Sequence, residues 1–264
     1  MTSHKRVDYN AIAPTYGRSN QASTLSGITR ALRSLAQESP NGRLLEVGCG
    51  TGLWLAALSA SVSPVYGLDL SLGMLRQAAG REAATRGARL LCNGQASRLP
   101  FYASSFDLIY CVNAIHHFQQ PERYIMEAQR VLKPGAALVI VGMNPHDPTI
   151  NWYLYDYFDG IYEADLARFP SVEDIAAWMA AAGFVDIQSW IAHRIAYTHI
   201  GRQVLDSPFL RKTGTSQLAL LSDEDYVSGL ARVEAAIETA EAAGEEASFV
   251  EVIPMPIVVG QAAG

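Results

Sequence analysis

The chain has 264 residues, of which 49% are hydrophobic and 17% charged, a composition typical of a folded globular protein. Its formal net charge of −6 and its lack of any Lys/Arg cluster argue against a nucleic-acid partner. No run of about 18 apolar residues occurs, and residues 1–10 lack an apolar signal core, so we expect a cytoplasmic protein with no membrane partner. The three cysteines lack CxxC spacing, which favours core thiols over a metal site or disulfides.

Apolar and helical segments alternate along the first part of the chain. Runs at about 43–47, 64–69, 89–92, 106–111 and 136–142 are typical of strands, and helices are predicted near 52–60, 71–85 and 121–131. This alternation predicts an α/β fold with a doubly wound, mostly parallel sheet. We expect functional groups at the carboxyl ends of its strands.

The first predicted strand ends in a glycine-rich turn, residues 44–52. Its glycines, Gly48, Gly50 and Gly52, depart from the Gly-x-Gly-x-x-Gly dinucleotide pattern at the third glycine, and Glu46 precedes them by two residues. Because glycine has no Cβ, backbone at such a turn can approach a ligand closely. The pattern favours a nucleoside ligand without a pyrophosphate, although a plain tight turn remains the alternative.

The second predicted strand ends in Asp69, about 20 residues after the glycine turn, where an acid is positioned to bind ribose hydroxyls. One carboxylate can accept hydrogen bonds from two vicinal hydroxyl groups. The alternative is that Asp69 only caps the following helix.

In order along the chain, these motifs resemble those of the class I S-adenosylmethionine (SAM) dependent methyltransferases, in particular the type 11 small-molecule group. The resemblance continues through residues 93–101, similar to the family's adenine-binding segment, 105–110, similar to its fourth strand, and 130–135, similar to the turn before its fifth. It covers residues 7 to 142. It implies a Rossmann-like, seven-stranded sheet and SAM as the cofactor.

The resemblance also implies which residues bind the cofactor. The glycine turn would pass under the methionine part, Asp69 would bind the ribose, and Gln95 would face the adenine edge, where the family commonly has Asp. A neutral amide still accepts a hydrogen bond, but a weaker one than a carboxylate does. The residues implied are Tyr9, Tyr16, Glu46, Gly48, Cys49, Gly50, Gly52, Asp69, Leu70, Met74, Gln95, Ala96 and Asn113.

The second part of the chain contains two predicted helix starts and an unusual last strand. Ser171 with Asp174, and Ser222 with Asp225, have the spacing of a capping box. The last strand is predicted over residues 249–259, where Pro254 and Pro256 fit an edge or bulged position because proline has no N–H to donate.

Two connections are much longer than ordinary α/β loops and are predicted as helical lid insertions after strands 5 and 6. We predict a single domain over residues 1–264. Its cofactor-binding core covers about 30–145 plus 171–198 and 248–260, and its lid or substrate segments cover about 1–25, 146–170 and 199–247. We refer to 146–170 as the first insertion and to 199–247 as the second insertion.

The first insertion is rich in aromatic residues, which predicts an apolar, ring-accommodating pocket wall. The alternative is packing on the core or on a second subunit. The predicted substrate-binding residues are Trp152, Tyr153, Tyr155, Tyr157 and His193.

Methyl transfer is a direct displacement, so it depends chiefly on alignment and needs a base only when the acceptor must lose a proton. His116 and His146 follow predicted strand ends and are the candidate catalytic residues. For His116, packing is the strong alternative. Metal-ligand spacing is absent, so no metal is predicted.

We therefore predict a methyltransferase that transfers a methyl group from SAM to an oxygen, nitrogen or carbon of a small, apolar or aromatic metabolite and releases S-adenosylhomocysteine. One alternative is a SAM-fold binding or regulatory protein without methyl transfer. Another is an NAD-dependent oxidoreductase, which the glycine spacing disfavours. The sequence does not distinguish a monomer from a homodimer.

Overall fold

The structure is a computed structural model, and it describes residues 7–13, 25–39, 41–59, 64–81 and 89–264. Tyr16, a predicted cofactor contact, lies outside these ranges.

Eight strands form one mixed sheet. Seven of them follow the order β3-β2-β1-β4-β5-β8-β6, in which β5 and β6 pair with successive parts of the same edge of β8. The eighth strand, β7, pairs with the opposite edge of β8. The strands are β1 (Leu44–Val47), β2 (Val65–Asp69), β3 (Arg89–Asn93), β4 (Phe106–Val112), β5 (Leu132–Val141), β6 (Asn151–Trp152), β7 (Phe184–Ile200) and β8 (Ser248–Ala262). The first five strands are parallel, and β8 is antiparallel to β5, β6 and β7. The predicted Rossmann-like, mostly parallel sheet is confirmed. The count differs by the two-residue β6, which is too short for a periodicity signal.

Ten α-helices lie in the described part of the chain: α1 (Tyr9–Ile12), α2 (Ser26–Gln37), α3 (Leu53–Ser59), α4 (Leu72–Arg81), α5 (Pro121–Val131), α6 (Tyr153–Tyr157), α7 (Ile161–Arg168), α8 (Val172–Ala181), α9 (Ser216–Ala219) and α10 (Asp223–Ala242). Short 3-10 helices cover Ile115–His117, Gly201–Asp206 and Pro208–Leu210. No helix among the described residues is both long and apolar enough to span a membrane.

Both faces of the sheet are covered, which explains why its central strands are continuous apolar runs. All four residues of β1 are buried. One core packs α2 and α3 on the sheet and continues into the first insertion, whereas the other packs α5 and α8 on the opposite face. The central strand ends are therefore fixed from both sides.

The predicted capping box at the start of α8 is confirmed. Ser171 Oγ accepts a hydrogen bond from the Asp174 backbone N–H at 3.0 Å, and the Asp174 carboxylate accepts one from the Ser171 N–H at 3.0 Å. The helix ends before Gly183, whose φ of +90° suits only glycine well.

β7 and β8 form a long antiparallel pair of strands, here called the hairpin, that extends well past the end of β5. Val141, the last residue of β5, pairs with Ile257, so Pro254 and Pro256 lie where β8 has lost β5 as a neighbour. On the other side, β7 has an irregular register between Ile191 and His193, opposite these prolines. The expected edge-like or bulged environment of the prolines is confirmed.

The two insertions begin differently from each other. The first forms β6, α6 and α7, and β6 pairs with the extended part of β8. The sequence placed the start of the second insertion at residue 199, but β7 continues to Ile200 and the insertion leaves the sheet only there. The correction follows from pairing, because His199 and Ile200 are held by Phe249 and Ser248 of β8.

Candidate active site

The carboxyl ends of β2, β1 and β4 are neighbours in the sheet, so the loops that follow these strands meet at one edge. The glycine turn follows β1, Asp69 ends β2, and Asn113 follows β4. Asn113 has a φ of +51°, and its backbone N–H donates to the Val141 carbonyl at 2.8 Å. This arrangement brings the predicted cofactor residues of three strands together.

The glycine turn requires glycine at three positions. Gly48, Gly50 and Gly52 have φ values of +76°, +51° and +75°, a region that other residues rarely adopt. A Cβ on Gly48 would lie 2.5 Å from the Ala114 Cβ, whereas a Cβ on Gly50 would meet no atom within 4 Å. Gly50 therefore presents bare backbone to open space, as a close-fitting ligand requires.

Asp69 joins the glycine turn to the start of α4. Its carboxylate oxygens accept hydrogen bonds from the backbone N–H groups of Gly50 and Ser71, each at 2.8 Å. Burial raises the pKa of Asp69, and the backbone hydrogen bonds oppose that rise. Each oxygen retains a second acceptor site, so the carboxylate still suits a pair of ribose hydroxyls.

Glu46 is buried beneath the glycine turn, with 1% of its surface exposed. Burial, and then the charge of Asp69, raise its pKa well above the ordinary value. Its Oε2 is buried without a hydrogen-bond partner among the described residues. The Tyr110 hydroxyl and the Leu55 backbone offset part of this rise in pKa, so the Glu46 side chain is held inside the protein beneath the turn.

The predicted adenine segment is attached to the Asp69 loop by hydrogen bonds. The Gly94 N–H donates to the Asp69 carbonyl at 3.1 Å, and Asn93 Nδ2 donates to the carbonyls of Asp69 and Leu70 at 3.0 and 2.9 Å. Leu70 is 66% exposed, an unusual apolar surface that a flat ring would cover. Gln95 is also exposed, whereas Met74 and Cys49 are buried in the interior.

Helix α1 bridges the cofactor side of the cleft and the turn after β4. Asn10 Oδ1 accepts hydrogen bonds from Ser71 Oγ at 2.8 Å and from the Gly73 N–H at 3.0 Å. The Tyr9 hydroxyl lies 2.5 Å from His117 Nε2. Sequence reasoning named Tyr9 and His117 but not Asn10 or Ser71, because single polar residues carry no periodic signal.

The two predicted catalytic histidines contact the same residue, Phe169. The ring of His116 stacks on the Phe169 ring at 3.8 Å, and His146 Nε2 lies 2.9 Å from the Phe169 carbonyl oxygen. Because a carbonyl only accepts, Nε2 of His146 carries a proton, and in the neutral imidazole Nδ1 holds the lone pair. The neighbouring Asp147 carboxylate accepts hydrogen bonds from the Thr149 N–H and hydroxyl, at 2.8 and 2.7 Å.

The histidines after β4 are uncharged at neutral pH. Burial lowers the pKa of His116 well below its ordinary value, and His117 and Arg168 act in the same direction. Burial and then Arg168 lower the pKa of His117 to about 3. Both imidazoles therefore retain a lone pair that can accept a proton or a hydrogen bond.

Arg168, which sequence reasoning missed, is anchored by a buried polar network within the insertions. The Asp165 carboxylate accepts hydrogen bonds from Arg168 at 2.6 Å, from the Tyr155 hydroxyl at 2.9 Å and from Gln217 at 2.8 Å. Burial raises the pKa of Asp165, and the Arg168 bond opposes this. In the sequence, Asp165 lies four residues after Ile161, on the same face of α7, and this spacing does not reveal its partners.

The structure does not bring the five predicted substrate-binding residues together on one surface. Trp152 and Tyr153 are 4% and 1% exposed and belong to the core of the first insertion, whereas Tyr155 and Tyr157 are half-buried. His193 lies on β7, where it pairs with Met255, and burial lowers its pKa. The first four therefore share one insertion, and His193 lies on the hairpin.

Comparison with known proteins gives a consistent result. A family model described as a methyltransferase domain matches residues 45–140. A demethylmenaquinone methyltransferase of Lactiplantibacillus plantarum is 30% identical over 206 residues, which cover 68% of this chain and 86% of the relative. A ubiquinone/menaquinone biosynthesis C-methyltransferase of Geotalea daltonii is 29% identical over 207 residues, 68% of this chain and 87% of the relative.

A solved structure shows the same fold at lower identity. The YcgJ protein of Bacillus subtilis has a TM-score of 0.63 at 20% identity, with 92% of this chain and 100% of that chain covered. The open space at Gly50, the Asp69 carboxylate and the exposed Leu70 fit SAM, whose methionine, ribose and adenine parts need such partners. The chain belongs to the class I SAM-dependent methyltransferases, and it methylates a small molecule with SAM as its cofactor.

Proposed function

We propose that the methyl acceptor is a small, apolar metabolite with an aromatic ring. The observation that supports this is the aromatic composition of the first insertion, which follows β5 at the carboxyl edge of the sheet. Its rings contact one another in sequence, Trp152 with Tyr155 at 5.4 Å and Tyr155 with Tyr162 at 4.9 Å. Large rigid rings favour a flat apolar partner.

The names of the relatives support the same class of acceptor. Two of them are named for demethylmenaquinone and for ubiquinone/menaquinone biosynthesis, and quinones are apolar ring compounds. The non-catalytic alternative is not favoured, because these relatives are named as methyltransferases.

We propose that the cofactor lies across the ends of β1, β2 and β4. The glycine turn binds the methionine part, Asp69 the ribose, and Leu70 with Gln95 and Ala96 the adenine. Tyr9 and Asn113 flank the methionine end. Support comes from the shared edge of these loops and from the open space at Gly50. When bound, SAM supplies a methyl group on a positively charged sulfur, so the residues of this chain contribute mainly alignment.

We propose a proton-accepting role for His146 or His116 when the acceptor must lose a proton. In His146, Nδ1 is the atom that can accept it, since Nε2 donates to Phe169. In His116 the ring is uncharged, but its lowered pKa makes it a weaker base, and it is stacked on Phe169. Both histidines are candidates because of their positions after strand ends. In the described part of the chain, neither ring has a hydrogen bond to a carboxylate.

We further propose that the chain forms one domain in which residues 1–25, 146–170 and 199–247 cover the acceptor. We also propose that the protein is cytoplasmic and has no nucleic-acid partner. The free thiols of Cys49, Cys92 and Cys111 suit a reducing compartment, and the net charge of −6 disfavours nucleic acid.

Incubation with SAM and a panel of acceptors tests the proposed function, with 1,4-naphthohydroquinone, 1-naphthol and 1-naphthylamine beside aliphatic acceptors of similar size. We expect S-adenosylhomocysteine release and a mass gain of one methyl group with ring acceptors only. Turnover confined to aliphatic acceptors would contradict the aromatic class while leaving the cofactor assignment intact.

A further inference from the structure

A group of buried polar side chains lies outside the cleft, on the part of the hairpin that extends past β5. Glu251 of β8 pairs with Trp152 of β6 on one side and with Tyr197 of β7 on the other. His199 of β7 is two residues beyond Tyr197 and points to the same face. Tyr153 at the start of α6 covers this face, with its ring 5.8 Å from the His199 ring. The group therefore joins the first insertion to the hairpin.

These side chains are buried without hydrogen bonds of normal geometry. Glu251 is 3% exposed, and its Oε1 lies 3.6 Å from His199 Nε2. Trp152 Nε1, the Tyr153 hydroxyl, His199 Nε2 and Glu251 Oε1 are all buried and make no hydrogen bond of normal length and angle, although Trp152 faces Glu251 and Tyr153 faces Ser207. Leaving buried polar groups without good hydrogen bonds is destabilising, so this cluster requires a physical reason.

No full charge in the described structure compensates Glu251. Burial raises its pKa to about 7, and the nearby Trp152 N–H only partly offsets that rise. Burial also lowers the pKa of His199. Tyr153 supplies no positive charge, Arg202 pairs with Glu241 at 2.9 Å, and Arg194 pairs with Pro254 on the opposite face of the ladder.

Two uncharged partners suit this environment better than an ion pair. A protonated Glu251 has an O–H to donate, and a neutral His199 has a lone pair at Nε2 to accept it. A small rotation of either side chain closes the 3.6 Å separation to a hydrogen bond. Loss of the Glu251 proton to solvent would leave a buried, unpaired carboxylate, which water must then reach.

We propose that Glu251 and His199 form a proton-linked latch that fastens the first insertion to the hairpin while both side chains are uncharged. Deprotonation of Glu251 releases the latch and loosens β6 and α6. The latch is independent of the identity of the methyl acceptor.

The two residues respond to pH in opposite directions. Glu251 binds its proton more tightly in the latched state, so its contribution to latching is lost as pH rises from about 4.5 to about 7. His199 binds a proton more tightly when released, so its contribution is lost as pH falls below about 6.5. In the wild type these dependences partly cancel.

Single substitutions separate the two responses. Hydrogen exchange of residues 151–157, corrected for intrinsic exchange, reports opening at pH 6 and pH 8. In His199→Gln we expect about tenfold more opening at pH 8 than at pH 6, from Glu251 alone. In Glu251→Gln we expect the reverse, up to about fourfold less opening at pH 8, since the amide mimics the protonated acid and only His199 titrates.

Glu246→Gln, an exposed change in the turn before β8, is the matched control and should retain the wild-type response. In the wild type, the NMR titration of the Glu251 carboxyl carbon should have its midpoint near 7. A midpoint near 4.5, or slopes of the same sign in the two variants, would overturn the proposal. The titration remains decisive if a variant does not fold.

Discussion

The backbone N–H of Gly50 donates a 2.8 Å hydrogen bond to the carboxylate of Asp69, which links the glycine turn after β1 to the acid at the end of β2. The two motifs are 19 residues apart in sequence, and their strands are paired in parallel. One side chain therefore shapes the glycine turn and, in the proposed site, also binds the ribose. Loss of the Asp69 carboxylate should affect both functions.

We expect Asp69→Asn to weaken SAM binding by roughly 2–4 kcal/mol, because one carboxylate oxygen becomes an NH2 group that cannot accept a hydrogen bond and the other oxygen loses its charge. Isothermal titration calorimetry measures the change in affinity. Glu224→Gln, an exposed change at the start of α10, is the control. Wild-type affinity in a folded Asp69→Asn protein would contradict the ribose assignment.

Gly50 and Gly80 form a matched pair, because a Cβ at either would meet no atom within 4 Å. Gly50 has a φ of +51°, whereas Gly80 lies inside α4. Gly50→Ala should cost about 1–2 kcal/mol of stability from left-handed strain and should also weaken SAM binding. Gly80→Ala should raise stability by about 0.5–1 kcal/mol through helix propensity, with unchanged affinity.

Urea unfolding gives both stabilities, and calorimetry gives both affinities. Equal SAM affinity in the two alanine variants would show that the bare backbone at Gly50 is not a cofactor surface.

The lowered pKa of His117 predicts destabilisation in acid. Its folded-state pKa is about 3 and its ordinary value is 6.5, so the unfolded chain binds the proton first as pH falls. Below pH 6.5 this histidine should cost about 1.4 kcal/mol of stability per pH unit. His117→Gln should therefore lose less stability than the wild type between pH 6.5 and pH 5.

Urea unfolding at pH 6.5, 5.75 and 5.0 gives the two slopes, and their difference isolates His117 from other titrating groups. Parallel slopes would mean that His117 is not held uncharged in the folded protein.

The proposed role of His146 predicts a kinetic defect without a binding defect. With a hydroxyl acceptor, His146→Ala should lower the single-turnover rate by about 10²-fold, the usual contribution of a positioned base, at nearly constant SAM affinity. Asp147→Ala, which removes the bonds to Thr149 only, is the neighbouring control. Rapid-quench measurements across the pH range provide the comparison. Wild-type rates in His146→Ala would leave alignment as the main source of catalysis.

The sequence alone determined the sheet, the glycine turn and the family. Buried parallel strands are apolar along their whole length, and positive φ at Gly48, Gly50 and Gly52 demands glycine, so both leave a local signal. The capping box of Ser171 and Asp174 is equally local, since its partners are three residues apart.

Only the tertiary structure decided which polar groups meet. Tyr9 and His117 are 108 residues apart, and Gln217 and Asp165 are 52 apart. No periodicity connects such positions, because long-range pairs depend on how the insertions pack. The same holds for Glu251 and His199: in sequence they are ordinary polar residues of two strands, and the ladder between β7 and β8 places them together in a buried site.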